Sequence, residues 1–329
     1  MDRLLAGGRR TWVLLCAIGV VAATGAGVVT LRADREPSVA GERAERSQPD
    51  PVAPALPGGG QFVPDAPADR AVLWAVGDGP DGDAPPRAVG ELIRNAAADK
   101  LLYLGDVYED VDVPQRLTDP TYEGSYAYLF ADTYGELADR TAPTVGNHEW
   151  ENAAAPGYDT YWSDVYHQPV QHYYRFRAGG WEVISLNSEA ELEGDDPQVR
   201  WLESELTEPG TCRLAFLHRP RFSAGRHGDE PELDAIWTRL EGHATLVVSG
   251  HDHDMQQLEP QGGVVQLVSG AGGRGRYEIN ETDARLVFSN DTSDGALRLE
   301  LTPGAARLAF VSVDGRELHQ DEVSCQPLG

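Results

Sequence analysis

Ser249-Gly250-His251-Asp252-His253 ends the apolar run 244–248 with two imidazoles two residues apart. A buried strand that stops in Gly-His-x-His carries both rings to its carboxyl edge. Neutral imidazole ligates zinc, iron and manganese, so metal binding is the chemistry such a pair can do. Alone, the segment reads equally well as a polar turn after a strand. Four upstream apolar runs end in a similar way. Residues 71–76 stop at Gly77-Asp78-Gly79-Pro80, residues 101–104 at Gly105-Asp106, Pro143-Thr144-Val145 at Gly146-Asn147-His148-Glu149, and residues 213–217 at His218-Arg219-Pro220. Singly, each is ordinary turn or cap chemistry; together they supply carboxylate, amide and imidazole donors at five strand ends.

The elements that must position these groups alternate. Helical stretches at 87–98 and around 126–138 separate the apolar runs, which predicts an α/β core whose strands are covered on both faces. Open α/β sheets gather ligands at the carboxyl ends of their strands, so the five stops converge on one cleft. Residues 173–177 and 181–186, joined by Gly179-Gly180, predict a hairpin. From about Val264 the pattern turns to short strands at 286–288, 296–301 and 307–313, which predicts a second, mostly antiparallel sheet.

Composition sets outer bounds. The 329 residues are 41% hydrophobic and 24% charged, a globular composition, with a formal charge of −26 and a single lysine, Lys100. Such an acidic chain repels phosphate backbones, so no nucleic-acid partner is expected. Any anionic substrate needs a local positive site such as bound metal. Arg3, Arg9 and Arg10 precede the uncharged apolar stretch Thr11 to Leu31, so residues 1–31 read as a signal peptide or a single-span signal anchor. The remainder is then exported, or held on the outer face of the cytoplasmic membrane. Residues 32–69, rich in Pro, Ala and Gly, read as a disordered linker, and residues 70–329 as one domain. That domain keeps 20 of the 27 basic and 45 of the 53 acidic residues. Outside the apolar stretch only Cys212 and Cys325 remain, and in an oxidising compartment the two are expected to pair.

The order Gly-Asp, Gly-Asp, Gly-Asn-His-Glu, strand-end His, Gly-His-x-His resembles the calcineurin-like metallophosphoesterases over about residues 71–273. The lack of an early histidine brings it nearest the purple acid phosphatase branch. The resemblance implies a four-layer αββα sandwich, with two mixed β-sheets flanked by helices and the active site at the strand carboxyl ends. It implies two metal ions, iron with zinc, manganese or a second iron. Two ions about 3.5 to 4 Å apart need a bridging carboxylate, here Asp106, and hold a hydroxide able to attack phosphorus. Asp78 and His253 complete one ion's protein ligands; Asn147, His218 and His251 serve the other. His148, and secondarily His227, contact phosphate or protonate the leaving oxygen. Glu149 is expected to hold the His148 ring. Arg219 and Arg221 read as solvated loop residues, and His167, His172, His243 and His319 as structural or solvated.

Two positions depart from the family pattern. Pro80 stands where most of these enzymes carry a first-motif histidine. Purple acid phosphatases share that omission and compensate with a tyrosinate three residues after the second-motif aspartate. Here Tyr108 lies two residues after Asp106, and Glu109 occupies the expected place. Tyr108 is taken as the ligand. The function expected is hydrolysis of small phosphate monoesters. A phosphodiesterase or nucleotide pyrophosphatase on the same scaffold is the alternative, and a non-catalytic binding module ranks low.

Overall fold

The computed structural model describes residues 63–325 apart from 82, 109–122, 151–154, 169 and 193–195. The segment 1–31, most of the 32–69 linker and Glu109 lie outside the described residues. Among those described, no helix is long and apolar enough to cross a membrane.

Strand β1 (Ala71–Val76) is buried along nearly its whole length, as a continuous apolar run in a covered sheet requires. It pairs in parallel with β2 (Lys100–Tyr103), which pairs in parallel with β3 (Thr141–Pro143). The register sets Val76 opposite Tyr103 and Tyr103 opposite Pro143, so all three strands end at one level. Helix α1 (Ala84–Asn95) makes the first crossover, with proline in its opening turn, where no amide hydrogen is needed. Helix α2 (Glu123–Tyr134) follows β2. Its Tyr126, Phe130 and Tyr134 pack against Tyr103, Tyr158 and Trp162 in a chain of edge and stacked contacts.

The hairpin forms as the sequence predicts, from β4 (Tyr174–Ala178) and β5 (Trp181–Ser185). Gly179 and Gly180 both have positive φ, 58° and 81°, which the two-residue turn demands. Strand β5 opens a second parallel run through β6 (Arg213–Phe216), β7 (Leu246–Ser249) and β9 (Val265–Ser269). Helices α3 (Pro156–Thr160), α4 (Pro197–Glu205) and α5 (Asp234–Leu240) follow, with short 3-10 or π segments at Gly135–Arg140, Tyr161–Val165 and Pro231–Leu233. Asp196 caps α4 by accepting from the amides of Gln198 and Val199.

The late strands do not make a sheet of their own. Strands β8 (Met255–Leu258) and β10 (Leu286–Asn290) join the edge of the second sheet, whose order is β10-β8-β9-β7-β6-β5-β4. Strands β11 (Gly295–Thr302), β12 (Ala305–Ser312) and β13 (Glu317–Ser324) instead return to the first, giving β13-β12-β11-β1-β2-β3. Antiparallel pairing of β11 with β1 makes that sheet mixed. Local alternation reveals a strand's exposed face but not its partner, so the reading of one separate antiparallel sheet fails here.

The two mixed sheets, flanked by helices, share one core that includes Leu73, Leu101, Leu214, Val248, Leu297 and Phe310. Polar ties cross between them: Ser269 Oγ donates to the Ala75 carbonyl and accepts from the Leu297 amide, and Trp181 Nε1 donates to the Thr302 carbonyl. Cys212, just before β6, is bonded to Cys325, just after β13, with Cα atoms 5.6 Å apart.

Candidate metal centre

The three Asp and His residues that leave β1, β2 and β7 first turn into left-handed backbone. Asp78, Asp106 and His251 have φ of 64°, 66° and 69°. Such conformations cost about 1–3 kcal/mol for residues other than glycine and persist only where surrounding structure fixes them. The loops also approach too closely for side chains on their glycines. A Cβ on Gly250 would stand 2.5 Å from Asp78 Oδ2, and one on Gly146 would strike Asp106 Oδ1.

His218 Nδ1 lies 2.8 Å from the Leu104 carbonyl, which can only accept, so this nitrogen carries the proton. The opposite nitrogen, Nε2, then faces Asn147 Oδ1 (3.0 Å), His251 Nδ1 (3.1 Å) and Asp106 Oδ2 (3.3 Å). The two oxygens can only accept, so a proton or a metal ion must lie between them and Nε2. Ligand atoms of Asp106, His218 and His251 all fall within 4.8 Å of one another, and all three residues are buried.

A second cluster adjoins the first through Asp106. Tyr108 Oη lies 3.0 Å from Asp106 Oδ2, 3.3 Å from Asp78 Oδ1 and 2.8 Å from His253 Nε2. His253 Nδ1 donates to the Gly275 carbonyl at 2.6 Å, which again turns Nε2 inward. An outer hydrogen bond to a carbonyl is the usual way a protein fixes a metal-binding imidazole. Asp78 is held from behind by the His251 amide, 2.8 Å from Oδ2. The donor set of oxygens and imidazole nitrogens therefore fits divalent or trivalent transition ions.

Titration follows the same geometry. Burial opposes charge on His218, yet Asp106 beside it, helped by Asp78 and Glu189, raises its pKa to about 10. Burial resists ionisation of Asp106, but His218 and His148 hold its carboxyl well below the usual range. His251 is driven the other way, by burial and then by the Arg219 guanidinium, and so stays neutral. The carboxylates thus demand positive charge at their centre, which a proton on His218 supplies when nothing else does.

The flanking groups are placed unequally. His148 is half-buried, its amide 3.1 Å from Asp106 Oδ1 and its ring 4.4 Å from that of Tyr108. His227 stacks on His251 at 4.0 Å, with Nδ1 3.0 Å from Asp252 Oδ1. Glu149 accepts from the amides of Asp106, Val107 and Gly146 at 3.0, 2.6 and 2.7 Å, and so braces the second and third loops. Burial and then Asp106 raise its pKa to about 7. Arg219 is not solvated: it is 1% exposed and paired with Glu189 at 2.8 Å. Arg221 pairs with Asp234 nearer the surface. Of the remaining histidines, His172 pairs with Asp159, and His319 meets Gln257 and stacks on Phe288.

Comparison with known proteins gives this arrangement its family. The calcineurin-like phosphoesterase profile matches residues 74–255, more than half the chain. The chain belongs to the calcineurin-like phosphoesterase family. It lies close to the purple acid phosphatases, metal-dependent phosphoric ester hydrolases. It is 21% identical over 263 residues to purple acid phosphatase 7 of Arabidopsis thaliana, covering 69% of this chain and 76% of that one. With purple acid phosphatase 17 of the same plant it shares 28% over 171 residues, half of this chain and 48% of the other. The fold resembles that of the yellow lupin purple acid phosphatase PPD1, with a TM-score of 0.64 at 13% identity, over 79% of this chain and 55% of that one.

In this calcineurin-like phosphoesterase several site-facing residues carry no sequence motif. Arg274 lies with its guanidinium 4.6 Å from the centre of the Tyr108 ring and pairs with Asp81. Tyr277 stacks on His253 at 4.0 Å, and Arg226 lies 4.6 Å from the centre of the same tyrosine ring. Glu189 follows β5 in Asn187-Ser188-Glu189, a sixth polar stop that the hairpin assignment passed over.

Proposed function

We propose that the protein is an exported phosphatase that hydrolyses small phosphate monoesters at a centre of two metal ions. Asp78, Asp106, Tyr108 and His253 would hold one ion; Asp106, Asn147, His218 and His251 would hold the other. The observation that carries this reading is the double convergence of oxygen and imidazole ligand atoms on either side of Asp106. When bound, the ions supply a water acidic enough to act as nucleophile and the positive charge that draws phosphate to an acidic chain. Iron, paired with zinc, manganese or iron, suits a set that includes a phenol.

His148 and His227 flank the centre and would bind phosphate or protonate the departing oxygen. Residues 1–31 would direct export and 32–69 would tether the catalytic domain. The Cys212–Cys325 bond supports an oxidising destination. Metal analysis of the full chain, with turnover of p-nitrophenyl phosphate and bis-p-nitrophenyl phosphate, tests the reading. Two metals per chain and faster turnover of the monoester are expected. Turnover of the diester alone would make the protein a phosphodiesterase. No turnover of either, in folded and metal-supplied protein, would end the enzymatic proposal.

A further inference from the structure

Between the two histidines of Gly250-His251-Asp252-His253 lies a carboxylate that no metal ligand set uses. Asp252 is fully buried, and both its oxygens are turned toward the loop that carries His227. Oδ1 accepts twice from His227, from its backbone amide at 2.9 Å and at the ring Nδ1 at 3.0 Å. Oδ2 accepts from Ser223 Oγ. That hydroxyl in turn accepts from the Gly225 amide at 2.9 Å and from Gln256 Nε2 at 3.0 Å. Gln256 Oε1 takes the Ala224 amide at 2.8 Å, so the 223–227 loop is held at nearly every polar position. The loop lies so close that a Cβ on Gly225 would stand 2.6 Å from Asp252 Oδ2.

The ring itself is fixed on two further sides. It stacks on His251 at 4.0 Å and meets the Tyr277 ring edge-on at 5.3 Å, with 3% of its side chain exposed. A carboxylate that already accepts a residue's own amide cannot swing away from that residue's ring. An acceptor at Nδ1 also selects the tautomer in which Nδ1 carries the hydrogen.

We propose that Asp252 is a positioning residue for the leaving-group step. It locks His227 so that Nε2, on the far edge of the ring, is the nitrogen that passes a proton to the ester's departing oxygen. This rests on the phosphatase reading and extends it to a residue outside the ligand set. As water oxygen bonds to phosphorus, the phosphorus–ester oxygen bond breaks and its electron pair stays on the departing oxygen. That oxygen takes the proton from His227 Nε2 and leaves as an alcohol. The surplus proton of the attacking water passes to solvent, and Nε2 is reprotonated from solvent. A poor leaving group needs this proton far more than a good one does.

Asp252→Asn is therefore expected to lower kcat on an alkyl ester such as glycerol 2-phosphate by about 100-fold, and on p-nitrophenyl phosphate by less than about 5-fold, the range general acids supply. KM and metal content should stay near wild type. His227→Ala should show the same selectivity, and the double variant should be no slower than the slower single one. Equal losses on both esters, or losses that multiply in the double variant, would overturn the proposal while wild-type turnover left the phosphatase reading intact. An inert wild type would instead remove that reading, and the leaving-group role with it. Should Asp252→Asn not fold, long-range nitrogen–proton NMR of the metal-free wild type decides. The proton on His227 Nδ1 is expected; a proton on Nε2 alone would refute the lock.

Discussion

Tyr108 stands one residue earlier than the family's pattern places its tyrosine, yet its Oη reaches Asp78, Asp106 and His253. The left-handed turn at Asp106 makes this possible, because it redirects the chain before Tyr108 is reached. Counting along the sequence could supply the residue type and its offset from Asp106, but not the reach. Removing only the oxygen tests its part. In ferric-loaded protein, Tyr108→Phe should abolish a visible phenolate-to-iron absorption band, and bound metal should fall from two ions toward one per chain. The phenyl ring remains to pack beneath Arg274, so the melting point should change little; an unchanged band would exclude Tyr108 as a ligand. His218 makes a prediction about protons. Its pKa near 10 in the metal-free protein means that Nε2 is protonated below that pH, and a metal must displace the proton. Metal affinity should rise about tenfold per pH unit through neutrality, with close to one proton released at this nitrogen. The same sign governs folding of the metal-free protein: the raised pKa adds stability below pH 6.5 that is lost as pH climbs through 10. Calorimetry in buffers of differing ionisation enthalpy reads the release, and affinity that does not change with pH would contradict it.

At the scale of elements, the strand ends were legible because buried strands are continuous apolar runs and their stops are abrupt. Asp78, Asp106, Asn147, His218, His251 and His253 all follow such runs, and parallel register levels the strand ends within each sheet. What remained hidden depends on long-range pairing. Arg219 looks like a loop arginine in sequence, and only the distant Glu189 and Glu230 explain its burial. Asp252 was invisible for the same reason, and Glu149, expected to hold the His148 ring, instead takes the amides of Asp106, Val107 and Gly146. Helix ends shifted as well, α1 starting at Ala84 because two prolines suit a first turn, ahead of the apolar periodicity. The close packing of these loops carries its own test. Gly250→Ala forces a methyl against Asp78, the residue bracing the opposite strand end. We expect a stability loss of about 1–3 kcal/mol, typical of overpacking, together with weakened metal binding. Denaturant unfolding and metal titration of the variant measure both, and unchanged metal affinity would show that Asp78 can give way.

The whole molecule joins its two sheets in more than one manner, and the covalent one is the Cys212–Cys325 bond. It fastens the strand after which His218 is placed to the outermost strand of the other sheet, across 113 residues. The sequence could offer the pair only by elimination, because the return of β11, β12 and β13 to the first sheet is what brings the two cysteines together. A cross-link over so long a loop restricts the unfolded chain strongly, so its removal should cost about 2–4 kcal/mol, a fall in melting temperature on the order of 5–15 °C for a domain of this size. The candidate centre should feel little of it. Cys212 precedes β6 and His218 follows it, which sets them about 20 Å apart along an extended strand. Cys212→Ser with Cys325→Ser should therefore melt earlier yet keep wild-type kcat and metal content at 25 °C. A reductant should lower the wild-type melting temperature to that of the double variant and leave the variant unmoved. Loss of activity at 25 °C in the folded variant would instead mean that the bond at the amino end of β6 shapes the chemistry at its carboxyl end.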